Sequence, residues 1–247
     1  MTYDVTTQEN YLTLEDGERI FYRMYIPQSK AAKTGAVILS HGYNSCSEYL
    51  HDVAEAFAKR GALSCCYDFR GGSVNSKSSG SSLDMSVCSE LDDLFAVADM
   101  IRKLDMLDGE KLYLYGESQG GFVSALAAAE KPSMFAGAML LYPAFCIPDD
   151  WRNRGISDGE TFEIMGMKLS DIYVKGLPQY DVFEKIKDFG GKVVIGHGTA
   201  DRVVPYDYSV RARDSFKSAK LIAFENEGHG FSLEARRKWI NCCIDVF

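Results

Sequence analysis

The hydrophobic residues of this chain fall into short, nearly continuous apolar runs that alternate with segments of helical spacing. Six such runs occupy positions 36–39, 62–67, 111–115, 136–141, 193–195 and 221–224. Strands that are buried on both faces have this pattern, which is typical of a parallel sheet. Residues 19–26 instead alternate polar and apolar side chains, which indicates a strand with one solvated face near the edge of the sheet; residues 11–14 could pair with it through a turn at 15–17.

The segments between the apolar runs carry the spacing of amphipathic helices. The clearest helix follows Ser86, a predicted N-cap, and its apolar stripe consists of Val87, Leu91, Leu94, Ala98, Ile101 and Leu104. Further helices are predicted at 53–58, 122–130 and 233–247. Strands that alternate with helices predict an α/β fold, with a mostly parallel, doubly wound sheet covered by helices on both faces.

Two segments interrupt this alternation. Residues 70–82 are rich in Gly and Ser and predict a mobile connector; phosphate binding is the alternative, but the segment lacks the G-x-x-x-x-G-K-[ST] order. Residues 143–187 show no strand–helix rhythm, and a loop of that length without structure of its own would be unusual. We therefore expect a small helical cap insertion at 143–187, within a single domain that covers residues 1–247.

Composition and charge narrow the class of protein. Of the 247 residues, 46% are hydrophobic and 25% are charged, as in soluble globular domains. The net charge of −8 argues against a nucleic-acid partner, and no apolar run is long enough for a membrane span. The N-terminus has no signal-peptide pattern, and four of the seven cysteines are sequence neighbours in two pairs, at 65–66 and 242–243. A cytoplasmic protein with reduced thiols is therefore expected, although a mature secreted form would look the same. The oligomeric state stays open, with a homodimer among the alternatives.

A sharp strand-to-helix turn carries the first chemical signal. Residues 116–120 read Gly-Glu-Ser-Gln-Gly, with a buried strand before them and a helix of small residues after them. In a G-x-S-x-G elbow the serine backbone is strained by about 1 to 3 kcal/mol, and the glycines avoid collisions with the neighbouring strand and helix. The motif predicts that Ser118 is a nucleophile; a glycine-rich structural turn is the alternative.

A serine hydroxyl needs a base that is itself held by a carboxylate. Of four histidines, His229 lies between glycines directly after the last apolar run, and Asp201 follows the run before it. The order Ser118, Asp201, His229 is the order of the elbow-containing fold. Asp207 is the alternative acid, but it is expected in the first turn of the next helix, where a carboxylate favours the helix dipole.

The other histidines have structural interpretations. We expect His197 to fix the loop that bears the acid, His41 to brace the loop after the strand at 36–39, and His51 to be a solvated helix residue without a role.

Acyl transfer also needs hydrogen-bond donors for the oxyanion. The backbone N–H of Gln119, at the start of a helix, is one predicted donor, and the N–H of Tyr43 is the other, because Gly42 lets that loop approach closely. An ordinary turn is the alternative for residues 41–42.

Aromatic and apolar residues of the insertion are candidates for an acyl pocket, although packing within the insertion is the expected use of most of them. These residues are Phe145, Trp151, Ile172 and Tyr173. No metal or organic cofactor is expected, since the chain has no C-x-x-C, H-E-x-x-H or dinucleotide-binding glycine pattern.

Five segments in this order resemble the α/β-hydrolase superfamily: 41–43, 67–71, 116–120, 197–201 and 227–231. Within it the chain resembles the small bacterial cinnamoyl or feruloyl esterases and the monoacylglycerol-lipase-like enzymes, which carry a short helical insertion between the sixth and seventh core strands. Those esterases continue after the position of Asp68 toward G-H-G-x-S, whereas this chain has Arg-Gly-Gly-Ser-Val-Asn from position 70.

The resemblance implies a serine hydrolase that cleaves a small-molecule carboxylic ester through an acyl-enzyme. The nearest rival is a serine peptidase of the same core, although such peptidases usually add a propeller domain for which this chain has no room. A non-catalytic, ligand-binding homologue is the rival of another class.

Overall fold

The computed structural model describes residues 2–28, 34–152, 154–175, 177 and 181–244, with the side chains of 109 and 110 left aside. The strands are β1 (Val5–Thr13), β2 (Arg19–Pro27), β3 (Thr34–Ser40), β4 (Leu63–Tyr67), β5 (Leu107–Glu117), β6 (Gly137–Leu141), β7 (Thr161–Ile164), β8 (Met167–Ser170), β9 (Lys192–Gly198) and β10 (Ala219–Phe224). The α-helices are α1 (His51–Lys59), α2 (Val87–Arg102), α3 (Gln119–Glu130), α4 (Ile147–Arg152), α5 (Val182–Lys185), α6 (Tyr206–Ser215) and α7 (Leu233–Ile244). Short 3-10 helices cover Ser47–Leu50, Asp171–Tyr173 and Ile186–Asp188.

The main sheet has eight strands in the order β1-β2-β4-β3-β5-β6-β9-β10. The strands from β4 to β10 in that order pair in parallel, while β1 and β2 form an antiparallel hairpin and β2 joins β4 antiparallel. Buried side chains of α2, α3 and α6 pack on one face of the sheet, and those of α1 and α7 pack on the other. The prediction of a mostly parallel, doubly wound sheet is confirmed.

Helix α2 begins where the sequence predicts. The Ser86 hydroxyl accepts a hydrogen bond from the Ser89 amide at 3.1 Å, and Ser89 Oγ accepts from the Ser86 amide at 2.9 Å, which completes a capping box. The apolar stripe of α2 is buried, but two acids lie on the same buried side, Glu90 and Asp93. These two acids were not expected in the core.

The insertion at 143–187, expected to be a small helical cap, is helical only in part. Its described residues contain α4, α5 and short 3-10 turns, and in addition β7 and β8 pair as an antiparallel hairpin. Met165 and Gly166 form the turn with φ of 47° and 77°, the left-handed region that two-residue hairpin turns require. Each strand has only four residues, too few for a convincing alternation, and this is why the sequence did not reveal the hairpin.

The Gly/Ser-rich loop 70–82 is hydrogen-bonded to its surroundings rather than a loose connector. The hydroxyls of Ser78 and Ser79 accept from the amides of Phe21 and Arg19 on β2, at 2.8 and 2.6 Å. The Lys77 amide donates to the Asp68 carboxylate at 2.8 Å. The serines of this loop therefore attach it to β2.

The C-terminal helix predicted at 233–247 corresponds to α7, and positions 245–247 lie outside the described residues. Within the described part of the chain, every helix is too short or too polar to cross a bilayer.

Candidate active site

Ser118 occupies a strained turn between β5 and α3. Its backbone has φ 52° and ψ −119°, a conformation that L-residues rarely adopt. A side chain at Gly116 would collide with the carbonyl of Gly120, and one at Gly120 would collide with the backbone of Ser40 and His41. Both glycines of the motif are therefore required by close packing, and the turn presents the serine side chain at the carboxyl edge of the sheet.

Loops after β5, β9 and β10 bring three side chains together at this edge. His229 Nε2 lies 3.0 Å from Ser118 Oγ, and His229 Nδ1 lies 2.8 Å from Asp201 Oδ2. The ring of Tyr142 packs against the imidazole with a centroid separation of 4.5 Å. The three residues that the sequence singled out thus form one continuous chain of hydrogen bonds, which is the arrangement that lets an imidazole accept a serine proton.

The Asp201 carboxylate is fully buried but well supplied with donors. Its Oδ1 accepts from the amides of Val203 and Val204 at 2.8 and 3.0 Å, and His197 Nε2 lies 3.3 Å from Oδ2. Burial alone would raise the pKa of Asp201, but hydrogen bonds from His197, His229 and these amides hold that pKa well below its usual range. Asp201 is therefore an anion at neutral pH and can orient the imidazole.

The remaining histidines and the alternative acid, Asp207, lie away from the hydrogen-bonded chain of Ser118 and His229 or support the loops around it. His197 is buried and its Nδ1 lies 2.6 Å from Ser209 Oγ, so it fixes the acid loop. His41 is buried, donates from Nδ1 to the Gly42 carbonyl at 2.8 Å and accepts from the Phe69 amide at 3.1 Å. His51 is exposed at the start of α1, and Asp207 is exposed in the first turn of α6.

The two predicted oxyanion donors face the same cavity as Ser118. Tyr43 and Gln119 both line that cavity, and a side chain at Gly42 would lie only 3.2 Å from Ser118 Cβ, so the loop after β3 approaches the serine closely. Within the described part of the chain, the amides of Tyr43 and Gln119 have no hydrogen-bond acceptor. These two N–H groups are thus positioned to donate to an oxygen that develops charge beside Ser118.

The cavity has a volume of about 500 Å³ and lies between the sheet edge and the insertion. Ser118 and His229 form part of its floor, and Trp151 and Tyr173 contribute to its wall. Phe145 and Ile172 do not line it, which changes their sequence-based assignment. Phe145 is packed in the core against Phe122 and Phe183, and Ile172 is 38% exposed to solvent.

Two charged residues of α4 and the loop after it also line the cavity, and the sequence analysis missed them. Asp150 lies in α4 and Arg154 follows that helix, and the Arg154 guanidinium stacks on the Trp151 ring at 4.6 Å from its centroid. Their position became visible only once the packing of the insertion was known.

A half-buried acid in the elbow itself was also missed. Glu117 accepts from Arg236 Nη1 at 2.9 Å and from the hydroxyls of Tyr115 and Tyr142 at 2.7 and 3.3 Å. Arg236 in turn forms a two-pronged ion pair with Asp52 at 2.6 and 2.9 Å. Glu117 therefore links the elbow to α1 and α7, and it steadies Tyr142, whose ring supports His229.

Another residue that was not predicted, Glu90, lies beneath Gln119. Glu90 Oε2 accepts from Gln119 Nε2 at 2.7 Å, and the Tyr173 hydroxyl donates to Gln119 Oε1 at 2.7 Å. Burial raises the pKa of Glu90 to about 8. The sequence did carry a signal for Glu90, because it lies three residues after Val87 and four before Leu94, on the apolar stripe of α2.

Comparisons with known proteins identify the family of this chain. The model of a hydrolase family described as serine aminopeptidase, S33, matches residues 31–182. Human monoglyceride lipase is 24% identical over 171 residues, and rat monoglyceride lipase is 27% identical over 138 residues. These alignments cover 68% and 54% of this chain but 51% and 42% of the lipases, so the chain spans about half the length of the curated relatives it matches.

Solved structures match nearly the whole chain. Est1E from Butyrivibrio proteoclasticus with ferulic acid bound is 25% identical, with a TM-score of 0.87 over 96% of this chain and 98% of that one. Mouse alpha/beta hydrolase domain-containing protein 10 is 18% identical, with a TM-score of 0.80 over 96% and 97% of the two chains. The fold is that of the α/β-hydrolases.

Proposed function

Because the chain belongs to the S33 serine aminopeptidase family of α/β-hydrolases, we propose that it is a serine hydrolase that cleaves carboxylic esters. The observation that carries the proposal is the chain of hydrogen bonds from Ser118 Oγ through His229 to Asp201, at 3.0 and 2.8 Å. A surface serine needs no such support, whereas a nucleophile does.

The geometry supports a two-stage reaction. Ser118 Oγ attacks the ester carbonyl carbon while His229 Nε2 takes its proton, and the amides of Tyr43 and Gln119 stabilise the oxyanion of the tetrahedral intermediate. The intermediate collapses, His229 gives the proton to the leaving alcohol oxygen, and the acyl group remains on Ser118. A water molecule, deprotonated by His229, then attacks the acyl-enzyme, and the acid leaves as Ser118 recovers its proton.

We further propose that the acyl group is aromatic, of the cinnamoyl or feruloyl class. The cavity wall combines Trp151, Tyr173 and Tyr43, and a volume of about 500 Å³ suits a single aromatic ring with a short linker. The similarity to Est1E with ferulic acid bound supports this choice.

Two related activities are the alternatives. The similarity to monoglyceride lipases favours a monoacylglycerol as the second candidate substrate, and the description of the matching family favours a peptide amide as the third.

A panel of substrates tests the proposal. Methyl ferulate, p-nitrophenyl butyrate, a medium-chain monoacylglycerol and an aminoacyl p-nitroanilide are supplied to the wild-type chain, and kcat/KM is measured for each. We expect methyl ferulate to give the highest kcat/KM and the anilide to give no measurable turnover. A higher kcat/KM for the monoacylglycerol would replace the feruloyl assignment, and cleavage of the anilide alone would establish a peptidase. Binding of ferulate without turnover of any substrate would establish a non-catalytic homologue.

A further inference from the structure

Glu90 is a buried acid that the proposed reaction does not use. It lies on the sheet-facing side of α2 and is 1% exposed. Asp93, one turn later, has Arg70 Nε at 2.6 Å, but within the described part of the chain Glu90 has no ion-pair partner. A carboxylate in such a place is costly to bury, so the hydrogen bond that it makes indicates what it does there.

That hydrogen bond fixes one end of the Gln119 side chain, and the insertion fixes the other. Gln119 Nε2 donates to Glu90 Oε2 at 2.7 Å, while the Tyr173 hydroxyl donates to Gln119 Oε1 at 2.7 Å. Gln119 is the first residue of α3 and directly follows the strained Ser118. A side chain that is held at both ends restricts rotation of the peptide group between Ser118 and Gln119, and this peptide group carries the oxyanion-donating N–H.

We propose that Glu90 is a positioning residue of the oxyanion hole, which acts by holding the side chain of Gln119. This inference rests on the proposed function, in which the Gln119 amide stabilises the oxyanion. Glu90 touches neither the substrate nor the reacting atoms, and its effect on the reaction passes through Gln119.

The same contacts connect the oxyanion hole to the insertion. The Tyr173 ring packs edge-on against Tyr43, the second proposed donor, at 6.1 Å between centroids. The Tyr43 hydroxyl and the Asn44 amide side chain donate to the carbonyls of Ile164 and Met165 in the hairpin, both at 3.0 Å. Through these contacts both donor residues are attached to the wall of the substrate cavity. Glu90 lies in the core, where it contacts one of these donor residues, Gln119.

The experiment compares Glu90→Met with Glu90→Gln, using hydrolysis of p-nitrophenyl butyrate. Methionine cannot accept the bond from Gln119, whereas the glutamine oxygen at position 90 can. We expect kcat to fall about tenfold or more in Glu90→Met with KM little changed, because oxyanion contacts are made mainly in the transition state. In Glu90→Gln we expect kcat within about twofold of the wild-type value, since the hydrogen bond is retained.

A double-mutant cycle separates positioning from a general loss of structure. Gln119→Met keeps the backbone N–H but removes both side-chain bonds, so it should lower kcat by a similar factor. Glu90→Met in the Gln119→Met background should then cause no further loss, because the two residues act through one bond. Thermal unfolding of every variant reports whether the fold is intact.

Three outcomes would overturn the inference. These are an unchanged kcat in folded Glu90→Met, a loss in Glu90→Gln as large as that in Glu90→Met, and additive losses in the double mutant. Absence of ester turnover in the wild-type chain would instead remove the proposed function itself, so the two failures are distinguishable.

Discussion

Two buried carboxylates lie near Ser118, and their pKa values are shifted in opposite directions. In the acid loop, Asp201 receives hydrogen bonds from two amides and His229 and has His197 nearby, and these contacts hold its pKa well below the usual range. Beneath Gln119, Glu90 receives one hydrogen bond from a neutral amide, and burial raises its pKa to about 8. Burial is common to both, so the number of hydrogen bonds that each carboxylate receives decides which acid stays ionised.

The difference matches the roles that we propose for the two acids. An acid that orients an imidazolium must be an anion throughout the working pH range, and the hydrogen bonds to Asp201 keep it ionised there. An acid that only accepts a hydrogen bond from an amide can do so whether it is ionised or protonated. Glu90 therefore needs no cationic partner for its proposed role. We therefore expect the two regions to respond differently to mutation and to pH.

The largest expected effect is in the acid loop. Asp201→Asn keeps the size of the side chain but removes the charge and favours the wrong imidazole tautomer, so kcat for p-nitrophenyl butyrate should fall by about 10⁴-fold. Asp207→Asn is the matched control, because Asp207 is exposed in the first turn of α6, and it should leave kcat unchanged. Steady-state kinetics of both variants check this. If the control lost activity and Asp201→Asn kept it, the assignment of the acid would be wrong.

A smaller effect is expected on the free energy of unfolding, whose dependence on pH has opposite signs in the two regions. The pKa of Glu90 is raised from 4.5 to about 8 in the folded state, so folding binds a proton between these values and the free energy of unfolding falls as pH rises from about 4.5 to 8. Asp93, with its pKa raised to about 6, acts in the same direction. The lowered pKa of Asp201 acts oppositely, because its stabilisation is lost as pH falls below about 4.

Urea denaturation of the wild-type chain and Glu90→Gln at pH 5 and pH 8 measures the Glu90 contribution. We expect the decrease in unfolding free energy between the two pH values to be smaller in Glu90→Gln by about 1 to 4 kcal/mol. The contribution of Asp93 should remain in the variant. Identical decreases in both proteins would show that Glu90 ionises in the folded state as freely as in the unfolded chain.

The sequence located the sheet and the three residues of the hydrogen-bonded chain, Ser118, His229 and Asp201, because each depends on local signals. The apolar runs of β3 to β6 and β9 mark buried strands, and the run of β10 marks a strand although β10 lies at the edge of the sheet with only Phe224 buried. The glycines at 116 and 120 mark the elbow because no other residue fits there, and His229 and Asp201 each follow a strand whose end lies at one sheet edge.

The rest depends on contacts between distant segments, which local patterns do not encode. The hairpin of β7 and β8 has strands of four residues, and its turn is held by Tyr43 and Asn44, which lie 121 residues away in the chain. Phe145 and Trp151 are both large aromatic residues of the insertion, yet Phe145 fills the core and Trp151 lines the cavity. The role of Glu90 is visible only when α2, α3 and the insertion are seen together.

The central claim is that Ser118 is the nucleophile of a serine hydrolase. The most direct measurement is labelling of the wild-type chain and of Ser118→Ala with a fluorophosphonate, with the modified residue located by peptide mass spectrometry. We predict one adduct, on Ser118, that accompanies loss of ester turnover, and neither adduct nor turnover in folded Ser118→Ala. An adduct on another residue, or turnover retained by the variant, would contradict the account.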